Sequence, residues 1–81
     1  MAPKEEIENL VRPIIEREGY KVVSVKLKFQ GRRLVLEITI DKEGGASVED
    51  CTRVSRLIEP ILDKEDLMKQ KYFLIVSSPG I

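Results

Sequence analysis

Few side chains in this 81-residue sequence could do covalent chemistry, and their spacing does not group them for it. There is no histidine, which removes the commonest general base and the commonest metal ligand. The one thiol, Cys51, falls on an apolar stripe of helical spacing and reads as a small buried hydrophobe rather than a nucleophile. Asp63, Glu65 and Asp66 could collect a cation, but an acidic connection of this kind is ordinarily just solvated. Gly44-Gly45 before a helix start could cradle a phosphate, yet Asp41, Glu43, Glu49 and Asp50 would repel one at close range. A tight turn into a capped helix is the better reading. No catalytic residue, metal or cofactor is expected. The charges themselves are the more informative feature. From Lys21 to Arg33 there are five basic residues and no acid. Lys26, Lys28, Arg32 and Arg33 gather at one end of a hairpin, where they could meet RNA phosphates or serve only for solubility and edge protection. With no exposed Trp or Tyr platform expected beside them, phosphate contact is favoured over base reading.

The elements that must carry these residues are legible in outline. Ile7, Leu10, Val11, Ile14 and Ile15 make an apolar stripe over a helix from Glu5 to Glu18, with Gly19 as its stop and a kink expected at Pro13. Val22–Phe29 and Leu34–Ile40 alternate as two strands across a Gln30-Gly31-Arg32 turn. Val23, Val25, Leu27 and Phe29 are expected on the core face with Leu34, Leu36, Ile38 and Ile40. Ser24, Lys26, Lys28, Arg33, Glu37 and Thr39 are expected on the wet face. Ser47 is the expected N-cap of a second helix, with Asp50 as its capping-box partner. Val48, Cys51, Val54, Ile58, Ile61 and Leu62 form the stripe of that helix, while Arg53 and Arg56 lie off it. A charged connection follows from Asp63 to Lys71, and Tyr72 to Val76 makes a third strand. Phe73 and Ile75 then fall on the wet face, an apolar pair that suggests a missing partner surface.

The order α-β-β-α-β predicts a two-layer α+β domain, a three-stranded sheet with both helices on one face, similar to KH-like domains. The first strand is expected in the middle of the sheet. No Gly-x-x-Gly loop joins two helices, so KH-style clamping of single-stranded RNA has no equipment here. One small domain is all that this length allows. A single cysteine suits a reducing cytoplasm, and no apolar run approaches the roughly 20 residues needed to cross a bilayer. Zero net charge argues against a generic basic nucleic-acid binder. Scarce Asn and Gln beside abundant Lys, Arg and Glu is a thermophile-like balance.

Three separated blocks carry a resemblance. Ile40-Asp41-Lys42-Glu43-Gly44-Gly45-Ala46-Ser47-Val48-Glu49-Asp50-Cys51, then Val54-Ser55-Arg56, then Val76-Ser77-Ser78-Pro79-Gly80 follow the pattern I-D-K-x-G-G-x-[ST]-x-[DE]-D-C, V-S-R, V-S-S-P-G. In this the chain resembles the N-terminal domain of the ribosome maturation factor RimP family. The resemblance implies a bacterial, cytoplasmic, monomeric binding factor, not an enzyme, that assists maturation of the small (30S) subunit. It implies residues 1–77 as the first domain and 78–81 as the start of a linker to a C-terminal SH3-like domain absent here. Phe73, Ile75, Ser77, Ser78, Pro79 and Gly80 would then face that second domain of the same chain. Two departures stand out: the family usually has proline near Leu67-Met68, and an acid where Ile75 stands, so the apolar patch here is larger.

Joined to the charges, the resemblance implies that Lys26, Lys28, Arg32 and Arg33 meet 16S rRNA, while Asp41, Glu43, Glu49 and Asp50 face a basic ribosomal protein. The competing reading is a protein-interaction or domain-docking module with no direct RNA contact. A metal-dependent RNA-processing enzyme would need divalent binding at Asp63, Glu65 and Asp66, and nothing else supports it.

Overall fold

The structure, a computed structural model, describes residues 3–79. Gly80 and Ile81 of the expected linker lie outside the described residues. The elements are α1 (Pro3–Arg17), β1 (Lys21–Gln30), β2 (Arg33–Asp41), α2 (Val48–Glu65) and β3 (Tyr72–Ser77). They form the expected two-layer α+β fold, a mixed three-stranded sheet under two helices, consistent with a KH-like description.

Each helix runs through its proline and stops where local chemistry stops it. Past Arg17, Gly19 takes φ 92 and its N–H bonds the Glu16 carbonyl, while the Tyr20 N–H bonds the Ile15 carbonyl. This is a Schellman pair, and buried Ile15 and Tyr20 supply the apolar contact that accompanies it. Ser47 and Asp50 close the expected capping box at the start of α2. Buried Ala46 and Cys51 flank it in the positions of a hydrophobic staple. At the other end α2 continues beyond Asp63 to Glu65, and Asp66 in the left-handed region bonds back to the Leu62 carbonyl. The connection that follows is less purely charged than its composition suggests, because Met68 is buried in the core.

Strand order departs from expectation. It is β1-β2-β3, so β2 is central, antiparallel to β1 and parallel to β3. The reason is occupancy: the tight hairpin keeps β1 on one side of β2 and α1 packs on β1, so α2 returns the chain to the open side. Ile7, Val11 and Ile15 of α1 and Cys51, Val54, Ile58 and Leu62 of α2 bury against the inner face of the sheet.

Three residues expected in the core are exposed. Val48 is the first residue of α2 and projects at the helix mouth, its place in the core being taken by Ala46. Phe29 lies opposite Leu34 at the hairpin tip, beyond the stretch that the helices cover. Val23 is a matter of parity. Val22 pairs with Ile40 and Ser24 with Thr39, so Val23 is an extra residue in a β-bulge. The bulge turns Val22 inward and Val23 outward. Val22→Ala should therefore cost about 2 kcal/mol and Val23→Ala under about 0.5 kcal/mol, a contrast that urea unfolding of the two variants measures directly.

Candidate functional site

The basic residues are placed by the tightness of the hairpin. Its loop is Gly31-Arg32, and only Gly31 has positive φ (64°), the pattern of a type II′ turn. This fixes Gln30 opposite Arg33, Lys28 opposite Val35 and Lys26 opposite Glu37. Lys26, Lys28 and Arg33 consequently share the outer, helix-free face, with Arg32 at the tip. Lys28 Nζ lies 3.6 Å from Glu37 Oε1, and the Arg33 guanidinium sits 5.2 Å from the centre of the Phe73 ring. Lys26 and Arg32 have no ion-pair partner among the described residues.

Behind these cations the outer face is apolar. Phe73 is 51% and Ile75 42% exposed, whereas Val35 between β1 and β3 is only 3% exposed. Strand alternation alone gives Val35 no role on this face. The uninterrupted run Leu34-Val35-Leu36 is the signal for it, since a central strand tolerates apolar residues on both faces. Further along, Thr39 Oγ1 and Ser77 Oγ are 3.4 Å apart across the β2–β3 pair. Ser78 is buried and Pro79 exposed just beyond.

The acidic residues lie at the opposite end of the sheet, about 26 Å away along the nine residues of β2. The Lys42 carbonyl accepts the Gly45 N–H at 2.8 Å, and Gly44 has φ 87, which makes a tight turn into α2. Asp50 is the hub. Its Oδ2 accepts the Ser47 N–H at 2.8 Å, its Oδ1 accepts the Tyr20 hydroxyl at 2.6 Å, and Lys42 Nζ lies 3.1 Å from Oδ2. Asp41 Oδ1 accepts the Lys42 N–H. Glu43 and Glu49 are exposed with no ion-pair partner among the described residues. Arg53 reaches across to Glu18 at 3.1 Å and ties α2 to the end of α1.

These bonds hold the Asp50 carboxyl well below the usual carboxylate range, first through the Ser47 backbone N–H and then through the Tyr20 hydroxyl. The same contact raises the Tyr20 phenol. A depressed folded pKa gives stability that is present above the unfolded value, about 3.9, and is lost as pH falls through the folded one. Asp50→Asn should thus lower the melting temperature near neutral pH and shrink the further fall between about pH 4 and pH 2. Thermal melts across that range check it, and an unchanged acid limb would remove Asp50 as its source.

The remaining candidates are accounted for by packing. Cys51 is buried and burial pushes its thiol up, away from nucleophilic reactivity. Asp63 Oδ1 accepts the Tyr72 hydroxyl at 3.0 Å, and Asp66 lies 4.0 Å from Lys69. Among the described residues no group of His, Cys, Asp or Glu converges to hold a metal ion, and no helix is long and apolar enough to cross a membrane.

A family model described as the RimP N-terminal domain matches residues 10–81. The chain belongs to the RimP family. That family is one of ribosome maturation factors. The match begins within α1 and takes in both hairpin strands, the α2 crossover and β3. Much of the RimP-like signature in this chain has a structural task. Gly44 and Gly45 make the turn, Ser47 and Asp50 cap α2, and Cys51 and Val54 fill the core. Lys26, Arg32, Glu43 and Glu49 take no part in those tasks.

Proposed function

We propose that this domain binds the free small (30S) ribosomal subunit in the bacterial cytoplasm and assists its maturation, acting as a monomeric binding factor without catalysis. The observation that carries this reading is the segregation of charge to the two ends of the sheet. Lys26, Lys28, Arg32 and Arg33 meet 16S rRNA phosphates at the hairpin end. Of the acidic set, Glu43 and Glu49 face a basic ribosomal protein, while Asp50 and Asp41 hold the loop that presents them. Opposite charge at two ends orients the factor before contact and speeds docking. Co-sedimentation with free small subunits and with assembled ribosomes, at low and moderate salt, tests it. Salt-sensitive binding to the free subunit alone supports the reading, and binding to neither removes it.

A second reading has its own observation, the half-exposed Phe73 and Ile75 side by side on the outer face. With residues 1–77 as the domain and 78–81 as the start of a linker, this face and the run Ser77, Ser78, Pro79 and Gly80 would dock a C-terminal SH3-like domain of the same chain. Salt separates the two, because apolar docking hardly responds to it while phosphate contact weakens steeply.

A further inference from the structure

The two edges of the sheet are protected very differently. β1 carries Lys21, Lys26, Lys28 and the bulge at Val23, each of which discourages another strand from pairing. β3 has no such device. Tyr72-Phe73-Leu74-Ile75-Val76-Ser77 contains no charge, no proline and no glycine, and its register with β2 is unbroken. No other strand among the described residues pairs with its far side.

Nor does α2 close over that edge. A groove runs between them, with Cys51, Arg56 and Glu59 facing Leu74 and Val76 in one half. In the other half Glu59, Leu62 and Asp63 face Tyr72 and Leu74. The inward side chains of β3 report the same opening. Tyr72, Leu74 and Val76 stay partly exposed, although Leu34, Leu36 and Ile38, their partners on β2, are buried.

Cations line the two ends of this groove, Arg56 at one and Lys69 and Lys71 beside Asp66 at the other, and its middle, next to Leu74, carries acids alone. Glu59 and Asp63 stand one helical turn apart, and neither has a cationic partner among the described residues. Burial, together with the two carboxylates, pushes the Tyr72 phenol up to about 12. A second copy of β3 would bring only the uncharged Tyr72–Ser77 to these acids. A basic chain would complement them.

We propose that β3 and α2 together take an extended, basic segment of another protein as a fourth strand, paired to the free edge of β3. One set of its alternate side chains flanks Phe73 and Ile75 on the outer face. The other set lies over Leu74, and a Lys or Arg among it reaches Glu59 and Asp63. Main-chain pairing supplies the attachment and the alternating side chains the selectivity, as in other strand-addition sites. The site shares Phe73 and Ile75 with the docking reading and meets the basic hairpin only where Arg33 sits over Phe73, so it stands or falls apart from the subunit reading.

The probe is a fluorescent peptide of about seven residues alternating Lys and Val, long enough to span the six residues of β3. It is titrated into the 81-residue chain by anisotropy, with backbone amide exchange followed by NMR. Saturable binding that slows exchange at alternate residues of Tyr72–Ser77 is expected. Glu59→Lys, an exposed change, should weaken it about tenfold, and so should replacing the peptide lysines by Glu. Two peptides N-methylated at alternate positions, one set on each edge, should differ, because only one edge faces β3. Absent binding, unchanged exchange at β3, or equal affinity of the two methylated peptides would overturn the proposal. So would a concentration-dependent dimer of the chain alone that protects the same amides, which would give the edge to a second copy.

Discussion

Replacing Lys26, Lys28, Arg32 and Arg33 together by Glu should abolish salt-sensitive binding to the free small subunit and leave the domain folded. The size of the effect follows from counterion release. Each phosphate neutralised contributes roughly 0.7–0.9 to the log–log salt slope, so four contacts lose about a hundredfold in affinity between about 50 and 200 mM salt. A variant without them should be weak at low salt and nearly indifferent to added salt. Folding has little at stake at these positions. Lys28–Glu37 is an exposed pair worth at most about 1 kcal/mol, and the Arg33–Phe73 contact is of the same order. Lys26 and Arg32 have no internal acid to lose, so the milder double variant Lys26→Gln, Arg32→Gln isolates external contact. Half the salt slope should remain in it. If both folded variants sediment with the subunit as the parent does, at either salt, the hairpin does not touch RNA.

The charges of the candidate surfaces were legible in the sequence, but their partners were not. Lys26, Lys28, Arg32 and Arg33 could be assigned to one end because they cluster about a turn at Gly31, although the sequence put Gln30 in that turn and the structure pairs it with Arg33. The Ser47–Asp50 box was equally local, two side chains three residues apart. The Tyr20–Asp50 bond joins residues 30 positions apart, and no local pattern announces it. That bond, with Lys42, separates Asp50 from the acids free to meet a partner, a distinction that composition cannot make. Parity failed for a related reason. A bulge adds one residue and shifts every position before it, so Val22 and Val23 exchange roles while Val25 and Leu27 keep theirs. Strand order depends on which side of β2 remains free once α1 has packed, a tertiary fact. The open groove beside β3 followed only once that order was known.

Leu36→Ala should be the most damaging of the simple truncations, lowering stability by about 3 kcal/mol. Leu36 is fully buried on the central strand, with Leu27 beside it on β1 and Leu74 on β3, under both helices. No neighbour can collapse into the space without leaving its own place, so transfer and cavity costs add. A small domain has about 5–15 kcal/mol in all, and the melting temperature should fall by roughly 15 °C. Phe29→Ala removes a larger side chain yet should cost under about 1 kcal/mol, because Phe29 is already in water. Paired thermal melts decide it. Similar losses in the two variants would mean that the helices reach over the hairpin tip and that its residues belong to the core. A large difference would show the tip to be energetically separate from the core. That separation is also what lets four cations beside it be exchanged for binding studies without unfolding the domain that presents them.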